Sequence, residues 1–197
     1  MRKLDYNGPG RSAARSNRER YFRRLFRSAT IPTKRARSAP LTHKADRAND
    51  FAGLTARGKR LTTPAMKNSV GLSRPFDDPQ PPDVHDLDAI TFLFFYHDTT
   101  YMNVDRAKMD RILFAALKPG GTLVIADHAA QAGSDITVGK TLHRIDESTL
   151  RREVEAAGFR LIAEGDFWHH PEDVRDFSAL RPTGPVDEFV LRFQKPM

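Results

Sequence analysis

The 197 residues include no cysteine, which excludes disulfides, thiolate zinc sites and cysteine nucleophiles and fits a reducing, cytoplasmic setting. The longest apolar run, Ala89 to Tyr96, is interrupted by Thr91; it is far too short to span a bilayer, and the N-terminus does not read as a secretory signal. Charge is unevenly placed: residues 1–60 hold 17 Lys and Arg against 4 Asp and Glu, the remainder 15 against 21, so a basic arm precedes a mildly acidic domain.

Residues 1–57 are dominated by Arg, Ser, Ala, Thr and Pro and lack sustained apolar periodicity, the composition of a mostly disordered extension. One short helix is predicted near residues 17–27. Ser16 and Glu19 have capping-box spacing, and Tyr21, Phe22, Leu25 and Phe26 share a face among arginines. Such an arm could bind nucleic-acid phosphates.

The texture changes near residue 58. KNSVGLS (Lys67 to Ser73) could hold a short strand, and the prolines of RPFDDPQPPD (Arg74 to Asp83) forbid helix or central strand there. Leu87 to Phe95 is almost continuously apolar and reads as a strand covered on both faces. A helix follows from Val104 or Asp105, with Asn103 as cap and Met109, Ile112, Leu113, Ala116 and Leu117 as its core stripe. Pro119, Gly120 and Gly121 end it, and Thr122 to Ala126 is a second buried strand. Strand, crossover helix and strand make one unit of a parallel sheet.

Residues 129–145 read as a long connection. Asp146 starts a helix with Leu150, Val154 and Ala157 buried, and Gly158 breaks it. Phe159 to Phe167 and Val186 to Gln194 alternate as strands that would pair antiparallel, separated by a loop from His169 to Pro185.

The pieces RLTTPAMKNSV, RPFDDPQPP, FFYHDTTYMNVDRAKM, ALKPGGTLVIADH, KTLHRIDESTLRREVEAAGF and DEFVLRFQKP resemble class I S-adenosylmethionine-dependent methyltransferases, in particular a bacterial group with an NYHD-like motif. The resemblance runs from about Arg60 to Lys195. It implies an α/β fold, a Rossmann-like sheet in the order 3-2-1-4-5-7-6. Leu87–Phe95 would be the fourth strand, Thr122–Ala126 the fifth, the last two strands the sixth and seventh, and Ser69–Ser73 a candidate third. The first two strands and the Gly-rich turn that admits the cofactor's methionine portion have no counterpart. The sheet is therefore partial and the copy truncated, with residues 58–197 as the methyltransferase-like domain. Its fourth strand becomes an apolar edge, so a homodimer could form by pairing there.

The resemblance also implies S-adenosylmethionine as cofactor, a small-molecule methyl acceptor, and roles for particular residues. Asp77 and Asp78 would meet the adenine amino group, or else be solvated turn residues. Phe95 and Tyr96 would line the cofactor. His97 or Asp98, beyond the end of the fourth strand, would face the acceptor as proton acceptor, or else Asp98 caps a helix and His97 is simply hydrogen-bonded. Asp127 and His128 end the fifth strand at the same crevice. His143 and Arg144 could hold an anionic acceptor or form a surface salt bridge. No metal site is expected, because Asp166, His169, His170, Glu172 and Asp173 show no recognised ligand spacing. The function read from these residues is methyl transfer, impaired in this copy; the second reading is a non-catalytic protein that binds nucleic acid or a partner through the basic arm.

Overall fold

A computed structural model describes residues 41–42, 64 and 72–197, all within the unit Pro32–Met197. The helix expected near residues 17–27 lies outside the described residues. The described residues include six strands: β1 (Leu41–Thr42), β2 (Leu72–Ser73), β3 (Leu87–Leu93), β4 (Leu117–His128), β5 (Arg160–Gly165) and β6 (Glu188–Gln194). Helices α1 (Arg106–Ala116), α2 (Val138–Leu142) and α3 (Glu147–Ala156) connect them, with a 3-10 turn at His97–Thr100.

The main sheet has the order β3-β4-β6-β5. β3 and β4 are parallel, while β6 runs antiparallel to both β4 and β5. This is the expected fourth, fifth, seventh and sixth strand. The candidate third strand is placed differently: Leu72–Ser73 pairs in parallel with Leu41–Thr42 in a separate two-stranded ladder. β3 thus has one strand neighbour among the described residues.

That edge position corrects the reading of β3. Ile90 and Phe92 are buried, whereas Ala89, Thr91 and Leu93 are exposed. An apolar run does not by itself cover both faces; neighbours do, and β4, which has a strand on each side, is buried throughout Gly121–Asp127.

α1 is capped by Asp105, whose carboxylate accepts the Lys108 N–H at 2.8 Å, and not by Asn103, which takes a positive φ of 55°. Asp reaches the third amide of the turn from the position directly before the helix, which Asn103 does not occupy. Met109, Leu113, Ala116 and Leu117 are buried as the stripe requires. The helix then passes straight into β4. Lys118 to Gly121 are a bulge inside the strand, not a break before it: Leu117 pairs with Leu87, and Thr122 resumes pairing at Ala89. Gly120 holds φ of 75° and donates its N–H to Lys195 O at 2.9 Å. A Cβ on Gly121 would lie 2.9 Å from Lys118 O and 3.0 Å from Leu87 O, so both glycines are required by the backbone.

α3 begins at the expected Asp146, which accepts the Ser148 N–H at 3.3 Å. Leu150 and Val154 are buried, and Gly158 leaves the helix with φ of 105°. α1 and α3 share a core with Phe92, Leu123, Ile125, Phe159, Leu191 and Phe193. Each fully buried side chain of this size contributes about 1.5–3 kcal/mol of transfer free energy. Val124, Ala126, Val190 and Arg192 are also buried but lie outside this core cluster. The connection after β4 is tied down at its ends, by Ala130 N–H to Ile145 O at 2.9 Å and Ile145 N–H to His128 O at 3.0 Å, and it contains the short helix α2.

Candidate functional site

Parallel β3 and β4 end side by side, and the chain leaves both at the same crevice, where open α/β sheets bind ligands. β3 leaves through Phe94, which is forced to a positive φ of 55° while its N–H donates to Ala126 O at 2.7 Å. That left-handed step, costly for a bulky residue, turns the chain into the 3-10 turn and sets His97 and Asp98 against the end of β4.

His97 is 2% exposed. Its backbone N–H donates to Asp127 Oδ2 at 2.8 Å, and its ring Nδ1 lies 2.6 Å from Asp127 Oδ1. Asp127 also accepts the His128 N–H at 2.8 Å. A carboxylate only accepts, so Nδ1 carries the proton. On the other side of the ring, Nε2 is 3.2 Å from Asp98 Oδ1, close enough for an ion pair but off line for a hydrogen bond, and Nε2 is buried without a hydrogen-bond partner. Burial pulls the imidazole down, but the hydrogen bond to Asp127 and the nearby charges of Asp127 and Asp98 outweigh it and raise its pKa to about 9.

Asp98 is the node of the crevice. Its Oδ1 accepts from the Tyr101 hydroxyl and lies 3.2 Å from His143 Nδ1. Burial pushes its carboxyl up, and the contacts with His97, Tyr101 and His143 prevail and hold it below the ordinary range. His143 arrives from the end of α2, in the left-handed conformation with φ of 52°. α2 reaches the 3-10 turn because Gly139 has no side chain: a Cβ there would sit 2.2 Å from Thr100 Oγ1 and 2.6 Å from His97 O. His128 completes the crevice, stacked on Phe94 at 5.1 Å and facing His97 at 5.7 Å between ring centroids. Trp168 closes on Phe94 at 5.4 Å.

The structure therefore brings together His97, Asp98, Asp127, His128 and His143. Two other expected site residues point elsewhere. Tyr96 is fully buried and donates its hydroxyl toward Asp110 Oδ2 at 2.8 Å and Glu153 Oε2 at 3.0 Å, between α1 and α3. Its side chain is turned into the core under the helices, where the Asp110 and Glu153 carboxylates hold it away from the crevice. Arg144 is also fully buried. Its Nη1 donates to Ala129 O at 2.8 Å and Asp173 Oδ2 at 2.7 Å, its Nε donates to Phe177 O at 3.0 Å, and it lies 4.9 Å above the Phe177 ring. It is a strut for the long loop, neither an anion-binding group nor a surface salt bridge. Asp173 carries Arg144 on one oxygen and belongs to a network with Asp187, His169 and Arg175.

Asp77, Asp78 and Phe95 lie on the approach to β3 and on its exit. Phe95 stacks on Phe76 at 5.0 Å and 20°, and Asp78 is paired with Arg74. Phe94, Tyr101 and Gly139 escaped sequence reading. The Gly-Lys-Thr-Leu-His run carries no pattern that shows Gly139 lying against His97. A separate cavity of about 290 Å³ is lined by Ala129, Asp146, Glu147, Arg151, His169 and Arg175, among others. Its Asp146 caps α3 through Ser148 and its His169 is held by Asp187.

No family model and no curated protein matches the sequence. Solved structures do. The (4+2)-cyclase SpnF aligns with a TM-score of 0.54 at 14% identity, over 98% of this chain and 86% of its own. A protein assigned as a sarcosine dimethylglycine methyltransferase from Galdieria sulphuraria gives 0.53 at 14% identity, over 80% and 68%. One assigned as an S-adenosylmethionine-dependent methyltransferase from Listeria monocytogenes gives 0.52 at 11% identity, over 81% and 78%. The chain has a class I methyltransferase-like fold. That a cyclase shares it is a reminder that the fold alone does not decide the reaction.

Proposed function

We propose that residues 58–197 form a methyltransferase-like domain whose crevice beyond β3 and β4 receives a small-molecule acceptor, and that S-adenosylmethionine is the methyl donor of this architecture. The observation that carries this reading is the convergence of His97, Asp98, Asp127 and His128 at the carboxyl ends of two adjacent parallel strands, in a sheet of order β3-β4-β6-β5.

The donor supplies an electrophilic methyl on a sulfonium sulfur. The residues present would suit its adenine end: Phe95 on Phe76 offers an apolar wall, and the half-buried Asp77, next to Phe76 in the chain, has a carboxylate able to accept an amino N–H. The acceptor would sit against His97, Asp98 and His128. Catalysis would rest on holding the acceptor in line, with Asp98 Oδ1 taking the proton an acceptor hydroxyl or amine must lose, and Asp127 fixing the His97 ring that borders it. Tyr101, hydrogen-bonded to Asp98, holds that carboxylate in place.

The chain's own donor binding is weak in this reading. The sequence upstream of Leu87 shows no apolar run followed by a Gly-rich turn, and residues 1–57 read as a basic extension of the domain. Calorimetric titration of S-adenosylhomocysteine into the folded chain tests it. The expected result is no saturation in the micromolar range. Micromolar binding would overturn the impairment and keep the donor assignment.

A second reading rests on the 17 basic residues among the first 60: the arm binds nucleic acid or an acidic partner. Deleting residues 1–57 should then abolish retention on DNA or RNA, with affinity falling steeply as salt rises. Retention that survives the deletion removes this reading.

A further inference from the structure

We infer that His97, Asp98 and His143 form a binding site for a divalent transition-metal ion of the zinc type. This inference needs only the three side chains and stands independently of methyl transfer. Among the described residues, these three offer one ligand atom each within 4.8 Å of one another.

The distances suit an ion. His97 Nε2 and His143 Nδ1 each lie 3.2 Å from the same carboxylate oxygen, Asp98 Oδ1. Two ligands about 2.1 Å from one ion and this far apart subtend roughly 100° at it, between octahedral and tetrahedral angles. Two imidazoles with one carboxylate select a borderline transition ion over magnesium or calcium, which take oxygen ligands. Three protein ligands leave positions for a further ligand, as in catalytic zinc and non-haem iron sites.

The orientation of His97 is an independent observation. With its Nδ1 proton given to Asp127 Oδ1 at 2.6 Å, the ring turns Nε2 toward Asp98, and an ion binding there takes the place of the Nε2 proton. Nε2 is buried and has no hydrogen-bond partner. A carboxylate behind a histidine is the usual support for a metal-bound imidazole: it fixes the tautomer and raises ligand basicity. Here the supporting Asp127 is itself held by two backbone N–H groups, of His97 and His128, each at 2.8 Å. His143 reaches the site from a left-handed backbone position at the end of α2, a region that histidine enters more readily than most residues. The side chains of Asp98 and His143 remain 15% and 20% exposed, which gives an ion a way in.

The histidines of the long loop are committed elsewhere. His169 is paired with Asp187 and His170 with Glu172, at separate places.

The test uses the untagged full-length chain, stripped with a chelator and titrated with Co²⁺ while visible absorption is followed, then with Zn²⁺ as competitor. One equivalent of Co²⁺ should give a saturable ligand-field band that Zn²⁺ displaces. His143→Asn keeps a residue that tolerates the left-handed backbone and should abolish the band. Asp98→Asn, nearly isosteric, should do the same. Asp127→Asn should weaken affinity roughly 10–100-fold, and His169→Ala should leave it unchanged. A cooperative thermal transition confirms that each variant is folded. A folded wild-type chain without the band, or equal binding by wild type and His143→Asn, overturns the proposal.

Discussion

His143 and Arg144 are neighbours in sequence, and they belong to two differently built polar regions. His143 joins the crevice, where His97, Asp98 and Asp127 touch mostly one another and a ring nitrogen is left without a partner. Arg144 enters the loop network, where Asp173 and Asp187 are buried at 7% and 0% exposure and are held by arginines, backbone N–H groups and His169. One Arg144 nitrogen, Nη2, also lacks a partner, but its charge is met by Asp173. Both regions are rich in charge, so charge does not mark the site. What differs is exposure and what is left over. In the loop network, the carboxylates are buried and met by donors, and the network fixes chain geometry. In the crevice, Asp127 is also met by three N–H donors, but the buried His97 Nε2 faces Asp98 without a hydrogen-bond partner, beside side chains that remain partly exposed.

The comparison breaks first if the loop network is not structural. Arg144→Met removes one side of a fully buried ion pair and strands Asp173. Breaking such a pair costs about 3–5 kcal/mol, which for a chain of this size lowers Tm by roughly 10 °C. A calorimetric scan reads this directly. A Tm within ~2 °C of wild type, on the same scale, would show that the pair does not hold the loop.

Gly139→Ala acts on the crevice alone. Its Cβ would overlap Thr100 Oγ1 at 2.2 Å and the His97 carbonyl at 2.6 Å, and one of these is backbone. α2 must shift, at about 1–3 kcal/mol as for other overpacked sites, and His143 moves away from Asp98. The expected signature is a moderate loss of stability with complete loss of the Co²⁺ band. Retained Co²⁺ binding would mean that the α2 contact does not position His143.

A third buried group sharpens the contrast by pH. Asp110 is fully buried behind Tyr96, and its Oδ1 has no partner. Burial pushes its carboxyl up to about 7; the Glu153 charge adds to this, while the Tyr96 hydroxyl and Arg106 oppose it. The folded state therefore keeps a proton that the unfolded state releases near pH 4. From there to about pH 7 the unfolded chain binds fewer protons, so stability falls as pH rises, and the loss is complete above 7. Asp110→Asn cannot ionise and escapes the loss, so its urea midpoint should gain on wild type between pH 5 and pH 8. Parallel midpoints over that range would refute the assignment. Asp173 and Asp187 have lowered values, set by burial opposed and outweighed by their donors, so their stabilisation is lost only as pH falls below the carboxylate range.

Much of the fold was legible because it rests on local signals. The Met109–Leu113–Ala116 stripe, the Asp146 cap, the Gly158 exit and the antiparallel end strands all appear where spacing and turn chemistry put them. The cap of α1, the continuity of β4 through Lys118–Gly121 and the exposed face of β3 were not legible, because each depends on which strand or amide lies alongside. The site divides in the same way. His97 and Asp98 come after β3, and Asp127 and His128 are the last residues of β4, so all four could be placed from the strands. The meeting of His143 with Asp98 depends on a glycine packed against a carbonyl 42 residues back in the chain, and one sequence carries no sign of that. Tyr96 and Arg144 were misread because the side a residue faces after a strand or helix is decided by packing partners far along the chain.

The smallest expected effect is the most discriminating. His169 resembles His97 on paper, since each sets Nδ1 against a buried aspartate, at 2.8 Å from Asp187 and 2.6 Å from Asp127. Yet His169 is about half exposed, and Asp187 keeps the His170 N–H at 2.7 Å and the Arg175 guanidinium when that ring is removed. His169→Ala therefore costs one hydrogen bond out of three on a carboxylate that stays satisfied, about 0.5–1.5 kcal/mol, and leaves Co²⁺ binding intact. His97 has the opposite balance: its removal frees Asp127 and takes away the buried Nε2. If His169→Ala instead lost the metal and kept its stability, the two regions would have exchanged roles, with the loop as the site and the crevice as the strut.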